Sequence, residues 1–237
     1  MSGSNGESSP TDGLKRSLEQ SAFAAVTPGS TPTAADIWGA LGGPRGLVES
    51  LLPGLAFLTV YSLTQSLLWS VGAPVVVSIG FILTRLVQRS PIQPALVGFL
   101  GIAASAAVAI VSGRPENNFV LGLWVNGLSL TVLLLSLILG RPLIGVIAGF
   151  LTGDRDWRSD RAKFTMAMVA TFLWVGMFGL RLAVQVPLYL AGEGSVQALA
   201  SARLLMGVPL YGATLWLTWL LLRSVYRGNA SSPADRI

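Results

Sequence analysis

Two arginines within apolar stretches are the residues of this sequence best suited to bind a ligand. Arg181 begins the stretch R-L-A-V-Q-V-P-L-Y-L-A-G, and Arg203 begins R-L-L-M-G-V-P-L-Y, so both copies read R-L-x-x-x-V-P-L-Y. An arginine at the centre of a membrane helix costs about 2.5–3.5 kcal/mol on insertion scales, and less toward the interface. The pair therefore predicts either a cavity that accepts an anion or two arginines with structural roles.

Most catalytic chemistries lack their residues in this chain. There is no cysteine and no histidine, which excludes thiol nucleophiles, disulfides, Cys/His zinc sites and histidine general bases. No P-loop, G-x-S-x-G or H-E-x-x-H motif occurs, and no two acidic residues lie together in an apolar run. We predict a protein that is not an enzyme, with no catalytic residue, no cofactor and no metal.

The composition is that of a membrane protein. Of 237 residues, 52% are hydrophobic and 11% are charged, whereas a soluble domain carries about 25% charged residues. The net charge is +5, but the basic residues lie at the ends of apolar runs, where they act as topology signals. We therefore expect the lipid bilayer as a partner, and no nucleic acid.

The apolar runs predict an all-α fold, a polytopic membrane helix bundle with six transmembrane helices. One crossing needs about 20 helical residues, and we place a tight turn near Trp69–Pro74 between the first two. The segment 143–152 is too short to cross and predicts an interfacial helix after the fourth span. Residues 1–32 and 228–237 are expected to be disordered cytoplasmic tails around a transmembrane domain over 33–227. The predicted spans are 47–68, 72–89, 94–112, 119–140, 164–190 and 202–222.

Two of these segments carry further expectations. The third span is rich in small residues, among them Gly98 and Gly101, which favour close helix contact in lipid and predict a central, tightly packed helix. The stretch D-R-D-W-R-S-D-R-A-K, Asp154–Lys163, predicts a solvated cytoplasmic loop with its own ion pairs.

The distribution of basic residues predicts the orientation. Six spans place both termini on one side, and most of the 16 Lys and Arg residues then lie on that same side. By the positive-inside rule, both termini are cytoplasmic. We expect a multi-pass protein of the bacterial cytoplasmic (plasma) membrane.

This topology brings several polar side chains to one depth. At 1.5 Å per residue, Arg181 lies about 26 Å into a core of about 30 Å, in its outer third. Gln185 lies one turn further on the same helix face. Polar residues of three other spans are expected at the same level. The predicted cluster comprises Arg181, Gln185, Arg203, Asn126 and Gln65.

Structural roles remain open alternatives for these residues. Arg203 would extend to the outer surface, and Arg181 would donate a hydrogen bond to the carbonyl that Pro187 leaves free. Glu193 would neutralise the pair. The prolines would kink spans five and six, and the tyrosines would anchor at the interface or bond across helices, or the repeat is a coincidence. Glu49 is expected to pair with Arg45.

Four motifs of this sequence are similar to those of a known family. They are L-G-G-P-R-G-L-V-E-S-L-L-P (41–53), G-R-P-L-I-G-V-I-A-G-F-L-T-G (140–153), R-L-A-V-Q-V-P-L-Y-L-A-G (181–192) and A-R-L-L-M-G-V-P-L-Y (202–211). Together they resemble an uncharacterised actinobacterial integral-membrane family, a domain of unknown function, over about 41–227. More remotely, L-P-G-L-A-F, R-P-L-I and the charged loop with Trp157 are similar to the intracellular septation protein A family, whose members are inner-membrane proteins linked to envelope synthesis and division.

Two functional hypotheses follow. The first is a non-enzymatic scaffold or cell-envelope maintenance factor that contacts envelope or division proteins, and neither resemblance supplies a catalytic residue. The second is a small transporter or a lipid- or anion-binding membrane protein that uses an outer-leaflet arginine cavity. If Arg181 and Arg203 share one cavity larger than a few waters, the second hypothesis gains.

Overall fold

The computed structural model describes residues 43–90, 92–154 and 156–228, and all regular structure in those ranges is helical. The predicted all-α class is therefore confirmed for this part of the chain. The predicted tails, 1–32 and most of 228–237, lie outside the described residues. The helices are α1 (Gly43–Thr64), α2 (Leu67–Val87), α3 (Gln93–Ser112), α4 (Val120–Ile138), α5 (Leu143–Thr152), α6 (Arg161–Leu190), α7 (Val196–Leu205) and α8 (Val208–Gly228), with 3-10 turns at Pro115–Phe119 and Glu193–Ser195.

Five helical stretches in the described ranges are long and apolar enough to cross a membrane. A further apolar helix, Val48–Thr64, is shorter than these five. Length and hydropathy thus define a multi-pass helical membrane protein, with five long spans instead of the six predicted. The five are Leu67–Val87, Ala95–Ser112, Pro115–Ile138, Arg161–Leu190 and Glu193–Val225.

The turn between α1 and α2 lies at Gln65 and Ser66, so the turn predicted near Trp69–Pro74 is wrong. Gln65 adopts a left-handed φ of 50°, and its N–H donates to Tyr61 O at 2.9 Å. The hydroxyl of Thr64 then accepts the N–H of Ser66 at 3.2 Å. These local bonds end α1 early, and Pro74 lies inside α2, where neighbouring helices tolerate it.

The predicted sixth span, 202–222, is not one continuous helix. It divides into α7 and α8 at Met206–Gly207. A Cβ on Gly207 would lie 2.8 Å from Arg203 O, so only glycine fits this turn without a shift. Pro209 is the second residue of α8, where the missing N–H needs no partner, so it starts a helix and does not kink one.

Helix α3 lies at the edge of the bundle, contrary to the prediction of a central helix. Gly98 and Gly101 are exposed, and a Cβ on either would meet nothing within 4 Å. The helix packs along α2 and against the turn Pro115–Phe119, but it hardly touches α4. Small residues permit close helix contact without requiring it, which explains the wrong prediction.

Two buried clusters hold the bundle together. The first joins Phe57 and Tyr61 of α1 to Phe119 and to Leu199 of α7. The second joins α4 to α6 through Leu133, Met177 and Phe178. The indole N–H of Trp174 in α6 donates to the hydroxyl of Thr218 in α8 at 3.0 Å, which ties α6 to α8.

The segment 154–163 folds against the helices beside it. Trp157 is 7% exposed, and glycines at 145 and 149 make room for its ring, since a Cβ on either would come within 2.6 Å of it. The ring stacks on Phe164 with centroids 6.3 Å apart. Residues 156–163 therefore pack as part of the fold, and only some of their charged side chains are exposed.

Charged residues fix the two ends of this segment. The predicted ion pairs within it are confirmed by Lys163, whose ammonium pairs with Asp154. Asp160 caps α6 by accepting the N–H of Ala162 at 2.9 Å, so α6 begins three residues before the predicted boundary. Arg158 donates to Gly140 O at 3.2 Å and holds the segment to the end of α4.

Candidate functional site: a polar cavity between the helices

Arg181 and Arg203 line one cavity of about 480 Å³. Gln185 and Asn126 line it as well, so four of the five predicted cluster residues come together. The other walls are mostly apolar, with aromatic, aliphatic and small residues, and they come from α1, α2, α3, α4, α7, α8 and the 3-10 turn Pro115–Phe119. They include Phe57, Phe119, Tyr211, Gly54, Gly122, Gly98 and Gly101.

Helix α6 contributes two adjacent donors to this cavity. Arg181 and Gln185 are one turn apart, so the helical period places them on the same face. They are only 7% and 3% exposed. Asn126 enters from α4 and is 3% exposed. These three polar side chains are thus withdrawn from the lipid-facing surface, as expected for polar groups at membrane depth.

Arg181 contacts an aromatic ring but leaves a donor unused. Its guanidinium carbon lies 4.9 Å from the ring centroid of Tyr211 in α8, a cation–π contact. Its Nε is buried and has no hydrogen-bond partner within the described ranges. The proposed bond from Arg181 to the carbonyl freed by Pro187 therefore does not satisfy Nε.

Arg203 points into the bundle and does not extend to the outer surface. Its Nη1 donates to Asn118 O at 3.4 Å, and its guanidinium carbon lies 5.4 Å from the ring centroid of Phe119. Gly122 makes this position possible, because a Cβ there would lie 3.3 Å from the guanidinium carbon.

The two copies of R-L-x-x-x-V-P-L-Y meet in space. The arginine of the first copy packs on the tyrosine of the second, Tyr211. The tyrosine of the first copy, Tyr189, donates to the side chain of Asn117 at 2.7 Å, next to the residue that Arg203 binds. A tyrosine bonding across helices was one of the predicted alternatives, and it is confirmed for Tyr189.

No carboxylate neutralises the two arginines in the part of the chain that the structure describes. Glu193 is exposed, in the turn before α7. Glu116 is buried, and its Oε2 has no partner among the described residues, but it does not line the cavity. Both arginines line the same cavity. The cavity therefore carries a net positive charge.

The unused groups of the cavity are donors. Besides Arg181 Nε, the amide nitrogen of Gln185 is buried without a hydrogen-bond partner in the described chain. Buried polar atoms are satisfied in more than about 90% of cases, so two neighbouring exceptions require an explanation. An occupant that supplies acceptor oxygens would satisfy both.

Gln65 does not belong to this site. It is exposed in the turn between α1 and α2 and does not line the cavity. Glu49, near the start of α1, binds Arg85 of α2, with Arg85 Nε 3.0 Å from Glu49 Oε2. The side chain of its predicted partner, Arg45, lies outside the described residues.

Sequence reasoning missed three residues that shape the cavity. Tyr211 carried a signal, because it ends the second copy of the repeat. Gly122 and Asn118 carried none, since their roles depend on where the Arg203 side chain lies in the folded chain. Elsewhere in the described ranges, no group of three His, Cys, Asp or Glu residues could hold a metal ion.

The fold and the cavity define a multi-pass helical membrane protein with a positively charged polar site between its helices. A family model described as "Protein of unknown function (DUF3159)" matches residues 41–228. The chain belongs to this family. No curated protein and no solved structure matches the chain.

Proposed function

We propose that this protein binds an anionic ligand in the cavity between its membrane helices, as a binding protein or a small transporter. The observation that carries this proposal is the pair of buried, unpartnered donors, Arg181 Nε and Gln185 Nε2. Both belong to residues that line the same cavity as Arg203.

The energetics favour an occupant with oxygen acceptors. A buried donor without a partner costs about 1–3 kcal/mol, and more when the group is charged. Phosphate and carboxylate groups match the forked geometry of guanidinium and form hydrogen bonds about twice as strong as neutral ones. The ligand would offset a free-energy cost that the protein alone does not compensate.

The proposed topology places the arginines of this cavity, Arg181 and Arg203, in the outer half of the bacterial cytoplasmic membrane. We propose that α1 is a sixth, shorter crossing and that α5 lies at the cytoplasmic interface. Both termini would be cytoplasmic, because the basic residues concentrate on that side. Binding or transport here involves no covalent step, so in this proposal the protein is not an enzyme and needs no cofactor. The proposal likewise includes no nucleic-acid partner.

A scaffold role in envelope maintenance is the second candidate. The observation that favours it is the packed segment 156–163, which exposes Asp156, Arg158 and Arg161 at the end of the bundle. Envelope or division proteins would dock there, in line with the remote resemblance to the septation family. Replacing these three residues together would abolish such docking and leave ligand binding unchanged.

The test of anion binding uses the full chain purified in detergent, with glycerol 3-phosphate and a short-chain phosphatidylglycerol as probes. Arg181→Gln keeps a polar side chain but removes the charge, and we expect at least about tenfold weaker binding of both probes, equivalent to about 1.4 kcal/mol. Arg114→Gln is the matched control, since Arg114 is exposed and does not line the cavity. Equal binding by wild type and Arg181→Gln would overturn the proposal.

A further inference from the structure

We infer that the ligand is a phosphate-bearing lipid that enters the cavity sideways from the bilayer, through an opening between α3 and α4. This inference rests on the proposed function and adds to it the class of ligand and the route. The observation behind it is the position of α3, which is independent of the unpartnered donors that support anion binding.

The opening arises because consecutive helices separate. Helix α3 packs on α2 and on the turn Pro115–Phe119, yet it hardly touches α4. On this side the cavity is lined by Val97 and Gly101 of α3 and by Val125 of α4. Val97 is 71% exposed and Val125 is 60% exposed. The same residues thus line the cavity and face the lipid, as the sides of a passage do.

The glycines of α3 keep this passage wide. In membrane helices, small residues usually allow a neighbouring helix to approach closely. Here no such neighbour is present, since a Cβ on Gly98 or Gly101 would meet nothing within 4 Å. Both glycines line the cavity, so their missing side chains leave open space between the lipid and the polar site.

The chemistry along the passage matches an amphiphile. Its lipid-facing part is apolar, with Val97, Val125 and the two glycines, while its inner part carries the donors of Arg181, Arg203 and Gln185. A cavity of about 480 Å³ holds a phosphate headgroup, and ligand sites in proteins are typically about 300–1,000 Å³. The acyl chains would remain in the opening and in the surrounding bilayer.

A free phosphate compound shares the headgroup chemistry and is the other possible source of the anion. It would have no need for an apolar passage, because it would enter from water at the ends of the helices. The two sources therefore differ in their response to a bulky side chain at the opening.

The experiment places a phenylalanine in the opening. In Gly101→Phe the new Cβ meets nothing within 4 Å, so the side chain starts in free space. Gly80→Phe is the matched control, because Gly80 is an exposed glycine of α2 with nothing within 4 Å of its Cβ and does not line the cavity. The full chain is reconstituted in vesicles of phosphatidylglycerol and phosphatidylcholine and extracted, and the bound phosphatidylglycerol is counted by native mass spectrometry. Binding of glycerol 3-phosphate is measured separately in detergent.

We expect Gly101→Phe to lower the bound phosphatidylglycerol at least about tenfold. Glycerol 3-phosphate binding should fall much less, because this compound needs no passage and loses only the space that the new side chain takes from the cavity. Equal losses of both probes would overturn lateral entry. Gly80→Phe should change neither. Equal phosphatidylglycerol in Gly101→Phe and wild type would overturn lateral entry, as would wild type that binds glycerol 3-phosphate but retains no phosphatidylglycerol. Should Gly101→Phe fail to elute as a single folded species, Gly98→Leu decides the question by the same criteria.

The failure of the wider proposal has a different signature. If Arg181→Gln leaves both probes bound as in wild type, the anion site itself is absent. If Arg181→Gln weakens glycerol 3-phosphate binding while Gly101→Phe leaves the lipid bound, the anion site stands and only the lateral route falls.

Discussion

The basic side chains at the two ends of the helix bundle differ in whether they pair with a carboxylate. The charged end, with Glu49, Arg85, Asp154 and Lys163, joins each of these cations to a carboxylate. The cavity end, with Arg181 and Arg203, contains two cations that have contacts to aromatic rings and one backbone carbonyl, but no carboxylate partner in the described ranges. Charges at the first end are paired within the fold, and under the proposed function charges at the second end bind a ligand.

The same contrast holds for hydrogen bonds. At the charged end, the segment 154–163 uses its polar atoms to cap α6 and to bind the end of α4. At the cavity end, two buried nitrogens have no partner among the described residues. Proteins often retain such unfavourable groups where function needs them, at the expense of stability. Substitutions at the two ends should therefore separate stability from binding.

The largest loss of stability is expected from Trp157→Ala at the charged end. The ring fills the space over Gly145 and Gly149, and a Trp→Ala change in a packed site costs about 3–5 kcal/mol. Thermal unfolding in detergent measures the loss, and glycerol 3-phosphate binding at the remaining folded protein should equal that of wild type. A Trp157→Ala variant as stable as wild type would show that the segment does not hold α5 and α6 together.

A smaller loss is expected from Glu49→Gln, which removes the charge that Arg85 binds across α1 and α2. The two side chains are 12% and 15% exposed, so screening by water is limited, and we expect about 1–3 kcal/mol. Arg141→Gln is the control, since Arg141 is exposed at the same end. Unfolding midpoints compare the two variants, and a loss no larger than that of the control would mean that the pair does not stabilise the fold.

The sequence predicted what depends on helical period and apolar length. Helices α3 and α4 begin and end within two residues of the predicted spans, because loops with glycine or proline bound their apolar runs. Helical period was sufficient to predict that Gln185 shares a helix face with Arg181, since the two lie one turn apart. Depth along the spans was sufficient to predict that Asn126 lies at the same level.

Features that depend on tertiary contacts were not predictable. The turn at Gln65 uses a left-handed residue that is not glycine, and sequence reasoning favoured the glycine and proline further on. The pair Glu49–Arg85 joins residues on two helices, whereas helix period pointed to a partner on the same helix. Small residues on α3 suited both a packed and an unpacked helix face, and the weak contact between α3 and α4 depends on tertiary structure.

The most direct measurement compares the unfolding midpoints of wild type and Arg181→Met, each with and without phosphatidylglycerol. Without lipid, the variant should be at least as stable as wild type, because it removes a buried charge whose Nε has no partner in the described chain. With lipid, wild type alone should gain stability, by about 2.7 kcal/mol at a hundredfold excess over Kd. A variant that is unstable without lipid, and gains as much as wild type with it, would contradict a ligand-binding role for Arg181.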